Sequence, residues 1–125
     1  MFVDLQNKLP FPDNFFSVII ADLCLHYFTE KKTKEIMHEI KRILKTNGVL
    51  LARVNSTQDT NYGAGQGQKI EDSYYFFEGI NKRFFDIQEA EKFFGIIGET
   101  QVKETDMLRY SNPKKVIEIC SQKFT

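Results

Sequence analysis

The chain has 125 residues, with 17 basic and 17 acidic side chains that cancel to a net charge of zero. That length allows one domain with a modest core, and the balance of charge argues against nucleic acid or an acidic membrane surface as partner. Twelve Phe and five Tyr with no Trp are an aromatic load that suggests a large buried face or an apolar pocket.

Met1-Phe2-Val3-Asp4 reads as the tail of a strand whose beginning is absent. Pro10 and Pro12, followed by Asp13-Asn14, make a turn. Phe16 to Ala21 is a near-continuous apolar run, the pattern of a strand covered on both faces of a parallel sheet. It ends at Asp22, and Leu23 to Phe28 forms a loop. Thr29 is a helix N-cap with Glu30 in the first turn, where an acidic residue suits the helix dipole. Ile36, Met37, Ile40, Ile43 and Leu44 recur at helical spacing, with Lys34, Glu35, Lys41 and Arg42 on the wet face. Asn47-Gly48 closes this helix, since both tolerate a left-handed backbone. Val49 to Asn55 is a second strand, completing a right-handed βαβ unit.

Beyond it lies a polar, glycine-rich stretch from Thr57 to Lys69. Tyr74 to Phe77 is short, apolar and aromatic: a strand, or a lid over a pocket. Asp86 caps a helix from Ile87 to Phe94, with Ala90, Phe93 and Phe94 inward. Glu99 to Leu108 and Lys115 to Cys120 alternate as two antiparallel strands, joined by a turn at Ser111-Asn112-Pro113. Cys24 and Cys120 share no metal or redox spacing and read as small core hydrophobes. With neither a signal peptide nor a membrane-length apolar run, the chain is expected to be cytoplasmic, with both thiols reduced.

Three stretches invite chemistry. Asp22, Leu23 and His26 follow the carboxyl end of a strand, where open α/β sheets place ligands. His26 could act as a general base or merely pack and hydrogen-bond in its loop. Gly63-Ala64-Gly65-Gln66-Gly67 is not read as a cofactor cradle, which should follow a strand directly and open a helix. It reads either as a flexible active-site loop, with Asn55, Tyr62 and Tyr74 facing substrate, or as an ordinary surface loop. Lys82 and Arg83 could meet an anion or form a solvated turn. Nothing in the sequence calls for a metal.

Asp4-Leu5, then Leu9-Pro10-Phe11-Pro12-Asp13-Asn14, then Val18 to Leu23, His26-Tyr27-Phe28 and Glu39 to Leu50 together resemble a known family. It is the class I S-adenosylmethionine-dependent methyltransferases of the small-molecule type 11, over their C-terminal half. Family members carry a similar "LPFPDNSFD", an apolar strand, and a helix ending in "LKPGG"; Ser17 and Thr46-Asn47 depart from that pattern. The resemblance implies a partial Rossmann-like α/β fold, mostly parallel with a C-terminal antiparallel hairpin, truncated at its N-terminal half. It implies S-adenosylmethionine as cofactor, with Asp4, Leu5, Asp22 and Leu23 at the cofactor and Asp22 and His26 at the methyl-transfer centre. The family's acidic residue and Gly-x-Gly-x-Gly turn have no counterpart here. The expected partners are a small-molecule substrate and either a missing N-terminal half or a second copy, paired through an open sheet edge. The alternatives are a non-catalytic dimerising or partner-binding remnant, and a rebuilt small-molecule binding domain walled by Tyr74 to Phe77.

Overall fold

A computed structural model describes residues 5, 7–108 and 112–125. The chain forms two sheets and two helices around one apolar core. The larger sheet has four strands in the order β1-β2-β7-β6: β1 (Phe16–Asp22), β2 (Leu44–Asn55), β7 (Lys114–Gln122) and β6 (Glu99–Met107). The smaller is a meander of β3 (Gln68–Glu71), β4 (Tyr74–Phe77) and β5 (Ile80–Arg83). The helices are α1 (Glu30–Ile43) and α2 (Ile87–Phe94).

The parallel element is the β1–β2 pair, linked through α1; β7 runs antiparallel to β2, and β6 antiparallel to β7. This is a mixed α/β arrangement with the expected closing hairpin in place and β7 lying between β2 and β6, but among the described strands only β1 and β2 pair in parallel, where a mostly parallel sheet was expected.

Local chemistry explains both helices. Thr29 accepts a hydrogen bond from the Lys32 amide at 3.2 Å, and the Asp86 carboxylate accepts one from the Glu89 amide at 2.7 Å. Each cap satisfies an amide that lacks an intrahelical partner. Ile36, Met37, Ile40 and Ile43 of α1 join Ala90, Phe93 and Phe94 of α2 in the core, against Leu50, Val54, Ile117 and Ile119 of the sheet. The Lys123 ammonium reaches from beyond β7 to donate to the carbonyls of Lys41 and Leu44, at 2.7 and 2.8 Å. A cation thus satisfies the carbonyl end of α1.

The sequence placed the end of this helix too late. α1 stops at Ile43 and β2 begins at Leu44, so Asn47, with φ of 69°, sits within the strand instead of capping the helix. The β1–β2 register shifts between Phe16 and Val18, which absorbs the extra residues. The helical period simply runs on into a buried strand residue, Leu44.

A second difference concerns β1, expected to be covered on both faces. α1 and α2 cover one face of the sheet; on the other, Val18, Ile20 and Leu51 are 51%, 73% and 42% exposed. The apolar run is real, but only half of it is buried by the residues described here. No helix among the described residues is long and apolar enough to cross a membrane.

Candidate functional site

β1 and β2 run parallel and deliver their carboxyl ends side by side. After Asp22 the chain turns at Leu23, whose φ of 57° reverses the backbone, and leads to His26. β2 ends at Asn55. The three-stranded sheet docks against these ends: the Arg83 amide donates to the His26 carbonyl at 2.7 Å, and the Phe85 amide to the Asn55 carbonyl at 2.7 Å. The Tyr74 hydroxyl donates to the Tyr27 carbonyl at 2.9 Å.

Between the strand ends and this meander lies a cavity of about 530 Å³. Leu23, His26, Tyr27, Asn55, Tyr62, Tyr75, Phe77, Lys82 and Lys114 are among the residues around it. Its size and mixed lining are those of a small-molecule site.

Two of its walls hold polar groups in an unusual state. His26 is 2% exposed and Asn55 1%, and neither His26 Nδ1 nor Asn55 Nδ2 or Oδ1 has a hydrogen-bond partner. These are the buried side-chain atoms without partners among the described residues. Buried polar groups are almost always paired, because desolvation without a hydrogen bond costs free energy. Burial, with the neighbouring charges of Lys114 and Lys82, lowers the His26 pKa to about 3, so the imidazole stays neutral at any physiological pH.

Of the other charges, that of Lys114 is paired within the fold. The Lys114 ammonium donates to Asp59 Oδ2 at 2.6 Å, and the Lys115 amide to Asp59 Oδ1 at 3.0 Å. This nearly fully buried pair ties the glycine-rich loop to β7. The Tyr62 hydroxyl donates to the Asn112 carbonyl at 2.9 Å, and the Asn61 amide to the Pro113 carbonyl at 3.2 Å. The loop therefore has a defined path through a 3-10 turn at Thr60–Tyr62. Its glycine run leads into β3, a strand, and not into a helix. That geometry excludes the helix N-terminus a phosphate or nucleotide cradle needs.

The sequence-named residues separate into groups. Leu23, His26, Asn55 and Tyr62 meet at the cavity. Asp22 is not among the residues around the cavity; its carboxylate accepts two hydrogen bonds from the Arg53 guanidinium, at 2.7 and 2.6 Å, beside the bare face of the sheet. Two carboxylate oxygens opposite a planar guanidinium form a bidentate pair, which draws Asp22 to that face. Tyr74 faces inward, 4% exposed, with its ring 5.1 Å from the Arg83 guanidinium. Strand alternation instead turns Tyr75 and Phe77 to the cavity. Leu5 packs, partly buried, against the core, while Asp4 lies outside the described residues.

Arg83 is not an anion receptor. Its buried guanidinium pairs with the Glu71 carboxylate and donates to the carbonyls of Phe28 and Asp72. Neither cysteine is fully buried, and both are free thiols. Burial, then the Asp22 carboxylate, push the Cys24 thiol up, away from a nucleophilic thiolate. Among the described residues no group of acidic, His or Cys side chains could hold a metal ion. The residues that sequence reasoning missed are Asp59 and Lys114, while Tyr75 and Phe77 belong to the Tyr74 to Phe77 segment it offered as a lid or pocket wall. The pairing of Asp59 with Lys114 across 55 residues left no local signal in the sequence.

Residues 3–52 match the model of a methyltransferase domain family. No curated protein sequence matches the chain. Among solved structures, a S-adenosylmethionine-dependent methyltransferase from Methanosarcina mazei is similar with a TM-score of 0.77 at 18% identity, over 98% of this chain and 65% of that one. A possible histamine N-methyltransferase from Thermotoga maritima is similar with a TM-score of 0.64 at 20% identity, over 95% of this chain and 61% of that one. A third, the 1,6-didemethyltoxoflavin-N1-methyltransferase of Burkholderia thailandensis, gives 0.67 at 14% identity, over 91% of this chain and 46% of that one. That structure contains 1,6-didemethyltoxoflavin and S-adenosylhomocysteine. Over the part it spans, then, the chain has the fold of a class I S-adenosylmethionine-dependent methyltransferase. It spans less than two thirds of the length of these three.

The described residues do not by themselves fit that cofactor. The Asp22 carboxylate is engaged by Arg53, and the glycine run feeds a strand. What the described residues do build is the cavity at the strand ends.

Proposed function

We propose that this chain serves methyl transfer from S-adenosylmethionine to a small molecule, and that the cavity under the three-stranded sheet receives the acceptor. The observation that carries the reading is the unpartnered, buried His26 and Asn55 at the carboxyl ends of the parallel strands. Ligands of open α/β sheets bind at those ends. In this reading the cofactor is held by a glycine-rich segment outside these 125 residues, or by a second copy. Leu23 and Asn55 border both ligands, and His26 orients the acceptor. A base pushed down to about 3 is a poor proton acceptor, so catalysis rests on positioning. The setting is cytosolic.

The test combines two measurements on the 125-residue chain over a range of protein concentrations. One is calorimetric titration with S-adenosylhomocysteine; the other is transfer of labelled methyl from S-adenosylmethionine into a mixed small-molecule extract. Micromolar binding with label in the small-molecule fraction supports the reading. Absence of both up to millimolar ligand, in the chain and in any longer form of it, overturns it.

A second reading, a dimerising module without cofactor, is favoured by the outer edge of β1, which no strand among the described residues covers, and by the exposed Val18 and Ile20 beside it. An open edge offers unpaired amides and carbonyls to another strand. In this proposal two copies pair β1 to β1 and continue the sheet. A monomer by light scattering at micromolar concentration would remove it.

A further inference from the structure

Resting on the reading of the cavity as the acceptor site, the geometry points to the class of acceptor. We infer that the cavity selects a neutral, planar heteroaromatic ring whose edge carries an N–H beside a C=O, as in a lactam, with Asn55 reading that edge.

The cavity leaves one buried amide unpaired. The Asn55 side chain is nearly wholly buried and both of its polar atoms lack partners, although the site lies beside two β-strand ends and a loop rich in backbone donors and acceptors. A carboxamide presents one donor and one acceptor side by side in a plane. Its complement is a group presenting acceptor and donor in the same order, as when Asn or Gln holds an adenine edge by two hydrogen bonds. A cyclic amide meets that requirement with both atoms; a phenol, an amine or a carboxylate meets only half of it. His26, which lines the same cavity, has a second group without a partner in its Nδ1.

Charge points the same way. Lys114 is matched by Asp59, and the formal charges of Lys82 and Glu78, which both line the cavity, cancel, so the lining carries no net positive charge for an anionic acceptor. His26 is neutral and adds none. Flat and apolar side chains make up much of the rest: Tyr75, Phe77 and Ile80 from the meander, with Tyr62 and with Tyr27, whose ring packs 4.4 Å from that of His26; Asn61 and Gln66 also line the cavity. About 530 Å³ suits one or two fused rings rather than a peptide segment.

The experiment uses three probes of one shape: 2-quinolone, which carries the lactam edge; quinoline, which lacks it; and quinoline-2-carboxylate, which is anionic. Calorimetry or ligand-observed NMR on the 125-residue chain should give 2-quinolone an affinity at least about tenfold above quinoline, the discrimination expected of one bidentate pair. The carboxylate should bind no tighter than quinoline. Asn55→Leu should bring the ratio of 2-quinolone to quinoline close to one. In the unmodified chain, 2-quinolone but not quinoline should shift the Asn55 side-chain amide resonances, which decides the matter even if the variant does not fold. Equal affinity for the two neutral probes, tightest binding of the carboxylate, or no binding of any probe overturns the inference. Lactam selectivity without cofactor binding or methyl transfer overturns the methyltransferase reading and leaves this one standing. Methyl transfer without lactam selectivity does the reverse.

Discussion

His26 shows how a single side chain couples the cavity to pH. Unfolded, it titrates near its ordinary value of 6.5; folded, burial and then Lys114 and Lys82 hold it near 3. Between those values the unfolded chain binds a proton that the folded chain rejects. Stability is therefore unaffected by this group above about pH 6.5 and declines as pH falls from there toward about 3. For a side chain this buried, the loss amounts to a few kcal/mol at the acid end. The expected outcome is a fall in Tm between about pH 7 and about pH 4 that shrinks in His26→Gln; an equal fall in both proteins would refute it. Asn55 gives a prediction of the opposite kind. Its amide is desolvated without compensation, so Asn55→Leu removes a cost of about 1–3 kcal/mol and should raise Tm or leave it unchanged. A marked drop in Tm would mean that the amide serves the fold and not a ligand.

At the scale of elements, the meander is what makes a cavity out of two strand ends. Its fit depends on Gly67, with φ of 89°, where a Cβ would come within 2.2 Å of the Phe76 carbonyl oxygen. No side chain fits there without moving β4. Gly67→Ala should cost several kcal/mol, combining left-handed strain with the clash, and should weaken binding of any ligand held by Tyr75 and Phe77. Unchanged probe affinity in this variant would show that β4 does not form the ligand wall. The β4–β5 turn carries φ of 51° at Glu78 and 81° at Gly79, the backbone of a two-residue hairpin whose twist suits its strands. Glu78-Gly79 was a turn signal available to sequence reading. β3 and β5 were less legible, because four-residue strands leave too few positions to establish a period.

For the whole molecule, the decisive feature is a sheet with both helices on one face. Val18, Ile20 and Leu51 leave an apolar strip on the other, and among the described residues β1 has no strand along its outer edge. If two copies meet there, Ile20→Glu should shift the chain to a monomer by light scattering with little loss of helical circular dichroism, since Ile20 is 73% exposed in the single chain. A dimer that persists in the variant would place the contact elsewhere.

The sequence by itself determined the two helices, their caps at Thr29 and Asp86, the long strands and the family resemblance. It also put His26 and Asn55 at the strand ends. These are local matters: a cap acts across three residues, and periodicity is written within a dozen. Only the tertiary structure decided that Asp22 belongs to Arg53, 31 residues away, and Lys114 to Asp59, 55 residues away. It also decided that Tyr75 and not Tyr74 faces the cavity, and that one face of an apolar strand stays bare. Such pairings join segments whose separation in the chain carries no trace of their proximity. A charged or apolar residue shows what it needs from a neighbour, but only the packed fold shows which neighbour it has.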